Sequence, residues 1–328
     1  NKNEKINLYP LKFKPILKPI IWGWNDITKF KGIAQQDGRG ESWEISSVEG
    51  NISIVANGEL ENKSLNDIIA TYKEQLVGKS NYEIFGTTFP LLIKFIDARD
   101  NLSIQVHPDD ALAKARHNSF GKTEMWYVVK AAPEAFLYSG FAKEMTPETY
   151  VKSIEDNTFI DSLEKHDVKE GDVFFLPAGR VHAIGAGAFI AEIQQTSNIT
   201  YRIYDYNRKD ANGNPRELHT ELAKDAIDYK VYDNYKTEYT EKENEPVLLE
   251  SCKYFTTNLL KLNKAVDRDY SSIDSFVAYI CMGGACTIAD NKGNKLHIKQ
   301  GETILIPADT ASVNIQPESN VLLLETYV

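Results

Sequence analysis

The sequence predicts a mainly β protein with attached helices, built as two β-barrels of one kind. Three observations carry this expectation. Most of the 328 residues read as short apolar runs punctuated by Gly, Pro, Asn and Asp, the pattern of a sandwich or barrel. A segment repeats: Gly171-Asp-Val-Phe-Phe-Leu-Pro-Ala178 returns as Gly301-Glu-Thr-Ile-Leu-Ile-Pro-Ala308, each a Gly-acid turn, an apolar strand and a Pro-Ala stop. Between the copies lies YKTEYTEKENEP, the most polar stretch, which reads as a linker over 235–246. The implied division is a first domain with helical segments over 1–234, the linker over 235–246 and a second domain over 247–328. His182 follows the first Pro-Ala, whereas Ser312 holds the corresponding place after the second.

Strands are expected at 42–48, 91–98, 102–106, 125–130, 172–176, 189–195 and 200–206, where β-branched and aromatic residues run between turn residues. Three helices interrupt them. The first spans 64–77, with a Ser-x-x-Asp start, Ile68, Ile69, Tyr72 and Leu76 at helical spacing, and Gly78 as a stop. The second starts at Thr146, with Pro147 at the first helical position, and runs to 163. The third covers 216–229, with Leu218, Leu222, Ala226 and Ile227 to one side.

Composition narrows the function. Hydrophobic residues make up 42% and charged residues 26%, the balance of a soluble globular protein. No apolar run is long enough to cross a bilayer, and residues 1–15 carry no signal-peptide core. A net charge of −10 argues against nucleic acid or a membrane as partner, so an anionic substrate would need a local basic pocket. Cys252, Cys281 and Cys286 lack CxxC spacing and read as buried free thiols, which fits a cytoplasmic protein, monomeric or homodimeric.

The chemistry-bearing residues gather at strand ends. Gln105-Val-His107 closes an apolar strand, and residues two apart on a strand point the same way, so amide and imidazole can converge on one ion. Glu124 opens the next strand, and His182 follows the turn Pro177-x-Gly179. Two ring nitrogens, a carboxylate and an amide oxygen suit zinc with an open position, and manganese, iron or cobalt would also accept them. His117 sits in a polar Ala-Arg-His-Asn context, His166 in a charged loop and His219 in a helix, and each reads as a surface or capping residue. Alternation over 199–206 places Thr200, Arg202 and Tyr204 opposite Ile199, Tyr201 and Ile203. Lys122 precedes Glu124 by two. Glu192 and Gln194 share a strand face, directed either to a substrate or to internal hydrogen bonds.

The string Gly-x5-Pro-x-Gly-x2-His matches the second motif of the cupin superfamily. The first motif is distorted, with Gln105 in place of its first histidine and sixteen residues between His107 and Glu124. FPLLIKFIDARDNLSIQVHPDD, GKTEMWYVV, LPAGRVHAIGAG and EIQQTSNITYRIYDYNR, with PIIWG and GESWEIS, resemble the type I mannose-6-phosphate isomerases over about residues 15–230, in their short bacterial form. The resemblance implies cupin-type jelly-roll barrels and reversible conversion of mannose 6-phosphate and fructose 6-phosphate through an enediol-type proton transfer. It implies one zinc per chain on Gln105, His107, Glu124 and His182, Arg202 as the catalytic arginine, and Lys122 in the pocket. Glu192, Lys122 and a metal-activated water are the candidates for the base. Asn198 departs from the family, in which an acid often stands there. A non-catalytic sugar-binding cupin and a metal-dependent cupin oxygenase are the competing readings. Arg202 and Lys122 beside a metal favour an anionic sugar over both.

Overall fold

The computed structural model describes residues 5–23 and 26–328. The chain is mainly β, with short helices attached, and its strands form three antiparallel sheets. A seven-stranded sheet runs in the order Lys236–Thr237, Val173–Leu176, Glu124–Ala131, Ala188–Gln195, Leu91–Asp97, Arg39–Ile45, Ile16–Pro19. Its central strands Leu91–Asp97 and Ala188–Gln195 are buried at every position, which is why they read as almost unbroken apolar runs. A five-stranded sheet has the order Tyr201–Tyr204, Ile104–Val106, His182–Ile184, Phe136–Phe141, Leu163–Asp167. Trp126, Phe174 and Ile190 from the first sheet pack with Leu137 and Ile184 from the second in one buried cluster.

The remaining strands form an eight-stranded sheet centred on Val277–Asp290 and Ser312–Tyr327. Leu11–Lys12 joins this sheet, pairing with Leu305 and Ile304, so residues from the start of the chain are shared between the two parts. The largest apolar cluster is likewise shared, with Phe30, Phe95 and Phe189 meeting Phe255, Phe276 and Leu324. At the same junction the buried Lys31 ammonium lies 2.6 Å from Glu44 and also donates to the Gly301 carbonyl.

The sequence repeat is a structural repeat. In both copies the residue after the glycine accepts from a neighbouring strand, Asp172 from Val128 at 2.8 Å and Glu302 from Cys281 at 2.9 Å. In both, the residue three after the proline donates to its carbonyl, Arg180 to Pro177 and Thr310 to Pro307, each at 3.1 Å. Gly171 and Gly301 adopt φ of 91° and 87°, a region open to glycine, so the turn chemistry dictates the residue in both places.

The helices are shorter than the periodicity predicts. The 64–77 helix is two pieces, Leu65–Tyr72 and Glu74–Val77, because Lys73 takes a φ of 54° and the first piece ends there. From Thr146, only Pro147–Glu155 is α-helical; Asn157 turns left-handed before a 3-10 turn at Phe159–Ser162. The third shrinks to Thr220–Ala226, since Arg216 leaves the helical path to bind Asp205 at 2.6 Å. Asp110–His117, capped by Asp109, forms without an apolar stripe strong enough to predict it. The polar segment 235–246 is packed in its first half. Tyr235 is buried, and Lys236–Thr237 pairs with Phe174 and Val173 at the edge of the seven-stranded sheet. Among the described residues no helix is long and apolar enough to cross a membrane.

Candidate active site

The two sheets of the first part each deliver ligands to one point. The five-stranded sheet supplies His107, one residue past Ile104–Val106, and His182, whose backbone is in register with Gln105. The seven-stranded sheet supplies Glu124 at the start of Glu124–Ala131. The ligand atoms of His107, Glu124 and His182 lie within 4.8 Å of one another, and all three side chains are buried. Nε2 of His182 is 3.0 Å, and Nε2 of His107 3.4 Å, from Oε1 of Glu124. Each ring is oriented by its other nitrogen: His107 Nδ1 lies 3.0 Å from the Ile199 carbonyl and His182 Nδ1 2.8 Å from that of Arg180. A donor at Nδ1 leaves the Nε2 lone pair free for a metal.

These residues fit a metal ion. Both carboxylate oxygens of Glu124 are buried without a hydrogen-bond partner, a costly arrangement that a cation would relieve. Burial, and then the Lys122 charge, push the His107 pKa down to about 3, so its ring is in the neutral form that metals take. Burial opposes ionisation of Glu124, but the adjacent Glu192, which keeps its own proton and can donate it towards Glu124, and then the two imidazoles outweigh it and hold its pKa well below the ordinary value. Among the described residues this is the group of His, Cys, Asp and Glu side chains that could hold a metal.

The ligands sit in a cavity of about 460 Å³, the size of a small-molecule site. Gln105, His107, Lys122, Glu124, His182, Glu192 and Arg202 all line it, so every site residue expected from the sequence is brought together. Asn198 and Thr200 line it too. Tyr204 does not: burial still alternates over Tyr201–Tyr204, but pairing with Ile104–Val106 slips between Arg202 and Tyr204, and Tyr204 lines a separate cavity with Asn207 and Leu218. Gln194 also turns away from the cavity, its amide donating to the Gln195 and Ser197 carbonyls at 3.1 and 2.9 Å. The other histidines lie elsewhere. His117 meets the Tyr201 hydroxyl at 2.7 Å, His166 sits on the strand Leu163–Asp167 rather than in a loop, and His219 precedes the helix Thr220–Ala226.

The cavity wall is rich in cations. Arg202 donates to the Glu217 carbonyl at 3.0 Å, while its Nε is buried without a partner and thus available to a ligand. Arg216, held by Asp205, lines the cavity beside it. Lys122 is buried; burial, and then the Lys94 charge, lower its pKa. Burial, and then the Glu124 charge, raise that of Glu192 well above the carboxylate range.

Sequence reasoning missed a second wall of the cavity. Lys94 lies 3.1 Å from Glu41, and its ammonium stands 4.6 Å from the centre of the Trp43 ring. Lys18 approaches the same ring at 4.7 Å and is tied to Asn51. A signal was present, since Lys94 interrupts an apolar strand buried on both faces, and a buried lysine requires an anionic partner.

Residues 12–134 match the family model for the phosphomannose isomerase type I catalytic domain. The chain is 35% identical over 257 residues to mannose-6-phosphate isomerase ManA of Bacillus subtilis, covering 77% of this chain and 80% of that protein. It is 32% identical over 300 residues to mannose-6-phosphate isomerase of Streptococcus mutans, covering 91% and 92% of the two chains. The crystal structure of the mannose 6-phosphate isomerase from Bacillus subtilis superposes with a TM-score of 0.87 at 28% identity, over 97% of this chain and 99% of that one. The ligand cluster, the cavity and these likenesses across most of the chain agree: it belongs to the type I phosphomannose isomerase family.

Proposed function

We propose that the chain interconverts mannose 6-phosphate and fructose 6-phosphate, moving a proton between C1 and C2 through an enediol, with one zinc held by Gln105, His107, Glu124 and His182. The observation that carries this reading is the orphaned Glu124 carboxylate between two imidazoles, at the base of a cavity lined by Lys94, Lys122, Arg202 and Arg216. Lys94 and Arg216 are paired internally, with Glu41 and Asp205, whereas Arg202 keeps a buried Nε without a partner; a positive wall inside an acidic chain suits an anion, and the relatives' names supply the sugar phosphate. A bound zinc supplies a Lewis-acidic centre where substrate oxygens gain charge.

The chain's own side chains account for the remaining requirements. Arg202 presents a permanently charged, planar donor fork to the developing oxyanion or the phosphate. Lys122 and Glu192 are the proton carriers, since both are buried in the cavity. Lys94 is committed to Glu41 at 3.1 Å and serves to hold the wall charged and rigid. Trp43 and Trp126 line the cavity and give it apolar surface.

We further assign catalysis to residues 1–234 and read 247–328 as a second, metal-free cupin-type unit connected through 235–246, with the whole working in the cytoplasm. A coupled assay of fructose 6-phosphate formation from mannose 6-phosphate tests the reading, with free mannose as the comparison. The expected kcat/KM is far higher for the phosphorylated sugar, because remote phosphate binding orients the reacting carbons. Comparable values for both sugars would remove the phosphate from the account, and binding without turnover would favour a sugar-binding protein.

A further inference from the structure

The turn that delivers His182 is gripped from outside the site. Residues 226–239 form a strap against the strand Val173–Leu176 and the turn that follows it, and three glycines make room for it. A Cβ on Gly140 would come within 2.1 Å of the Tyr235 ring, one on Gly179 within 3.1 Å of the Ala226 carbonyl oxygen, and one on Gly171 within 3.3 Å of the Tyr239 hydroxyl. The strap is fastened along its length. Asp228 N–H donates to the Gly179 carbonyl at 2.8 Å, the Tyr232 hydroxyl to Asp228 at 2.6 Å, and the Tyr235 hydroxyl to the Phe141 carbonyl at 2.8 Å. Lys236 lies 2.8 Å from Asp172, and the Tyr239 hydroxyl donates to the Gly171 carbonyl.

Between strap and turn lies Arg180, only 9% exposed. The centre of its guanidinium stands 4.8 Å from the Tyr232 ring centroid and 4.7 Å from that of Tyr235, so both rings hold the cation. The Arg180 carbonyl is the group 2.8 Å from Nδ1 of His182, and the N–H of the preceding Gly179 donates to the His107 carbonyl at 2.9 Å. The residue that orients one metal ligand is therefore itself held by its side chain, and the adjoining peptide ties the turn to the other histidine.

We propose that Arg180, clamped by Tyr232 and Tyr235, is a positioning residue for the metal ligand His182. The clamp fixes the Arg180 carbonyl, the carbonyl fixes the imidazole through Nδ1, and Nε2 is thereby aimed at the ion. The proposal rests on the metal centre described above and touches neither substrate nor reacting atoms. Loss of an outer partner of this kind costs about 10–100-fold in metal affinity.

The test is the rate at which zinc-loaded protein yields its metal to a chromophoric chelator, together with the visible spectrum of the cobalt-substituted protein. Arg180→Leu and Tyr235→Leu should release metal about 10–100-fold faster and show a changed cobalt spectrum, while circular dichroism reports a folded chain. Tyr235→Phe keeps the ring and loses only the hydroxyl's bonds, so its metal release should stay well below that of Tyr235→Leu; Arg180→Lys should recover part of the loss. Folded leucine variants with unchanged release rate and spectrum would overturn the proposal, as would a Tyr235→Phe defect equal to that of Tyr235→Leu. If Tyr235→Leu does not fold, Arg180→Leu, on the turn itself, decides. Failure of the unmodified protein to bind zinc or cobalt would instead overturn the metal centre.

Discussion

Arg202 is where the mechanism is most exposed at the scale of single residues. Its guanidinium reaches the cavity from a strand whose neighbours Tyr201 and Ile203 are buried on the opposite side. It stays charged near neutral pH, so its contribution is charge stabilisation and orientation. Arg202→Ala should keep fold and metal but lose about 10²–10³ in kcat, roughly 3–4 kcal/mol, and Arg202→Lys should recover only part. Steady-state kinetics separates the roles: a fall in kcat marks contact in the transition state, whereas a rise in KM marks phosphate binding. Lys122→Met and Glu192→Gln should each cost about 10²–10⁴ in kcat with metal content unchanged, and a near-normal rate for either would remove it as a proton carrier. The Pro-x-Gly-x2-His turn points to His182, the alternation over 199–206 puts Arg202 on a polar face and a shared strand face singles out Glu192, while the roles of Arg202 and Lys122 come from the family resemblance. Lys94 left a signal, as a charge inside an apolar run, but its partner Glu41 did not, so the pair was not legible. Their meaning lies in an ion pair between neighbouring strands that are distant in sequence.

Asp97 illustrates the scale of elements. It ends the strand Leu91–Asp97 and accepts the Asp26 N–H at 2.9 Å, fastening the helix Asp26–Lys31 to the sheet. Burial raises its pKa from 3.8 to about 7. Between these values the unfolded chain ionises Asp97 while the folded chain retains the proton. Stability attributable to this group is therefore greatest below about pH 4 and declines as pH rises towards 7, by up to about 4 kcal/mol. Asp97→Asn should flatten the pH dependence of urea unfolding across that window; an unchanged slope would mean that Asp97 is not held protonated. Strand existence was legible from apolar runs and turn residues, and helix extent was not. Apolar spacing at 68, 69, 72 and 76 continues through Lys73, yet that residue is left-handed and the axis breaks. The helix 216–229 loses its first turn because the attraction of Arg216 for Asp205 outweighs a weak intrinsic preference.

Across the whole molecule, strand register extends the repeat beyond the eight residues visible in the sequence. Trp126 pairs with Phe174 and Glu192, and Lys94 with Glu192; Tyr279 pairs likewise with Ile304 and Glu325, and Asn258 with Glu325. By the same register Glu124 falls on Val277, Gln105 on Asp269 and His182 on Ser312. The second part therefore retains a counterpart of Glu192 but not the histidine or carboxylate ligands. Its Glu325, fully buried, is satisfied internally by Arg268 through two 2.8 Å contacts, by Asn258 at 2.9 Å and by the Tyr270 hydroxyl. Arg268→Ala, which strands that carboxylate, should cost about 3–5 kcal/mol in urea unfolding and leave metal content unchanged. Only the Gly-acid-strand-Pro-Ala segment of this duplication could be read in the chain, because what the two parts share elsewhere is pairing geometry rather than residue identity.

If the His107, Glu124 and His182 cavity is a metal-dependent isomerase site, isomerisation must follow its metal occupancy. The most direct test is the initial rate of fructose 6-phosphate formation from mannose 6-phosphate by chelator-stripped protein, titrated with zinc. The rate should be negligible without metal, rise linearly with zinc and break at one equivalent per chain. Full activity in the stripped protein, or no isomerisation at any zinc ratio, would contradict this assignment.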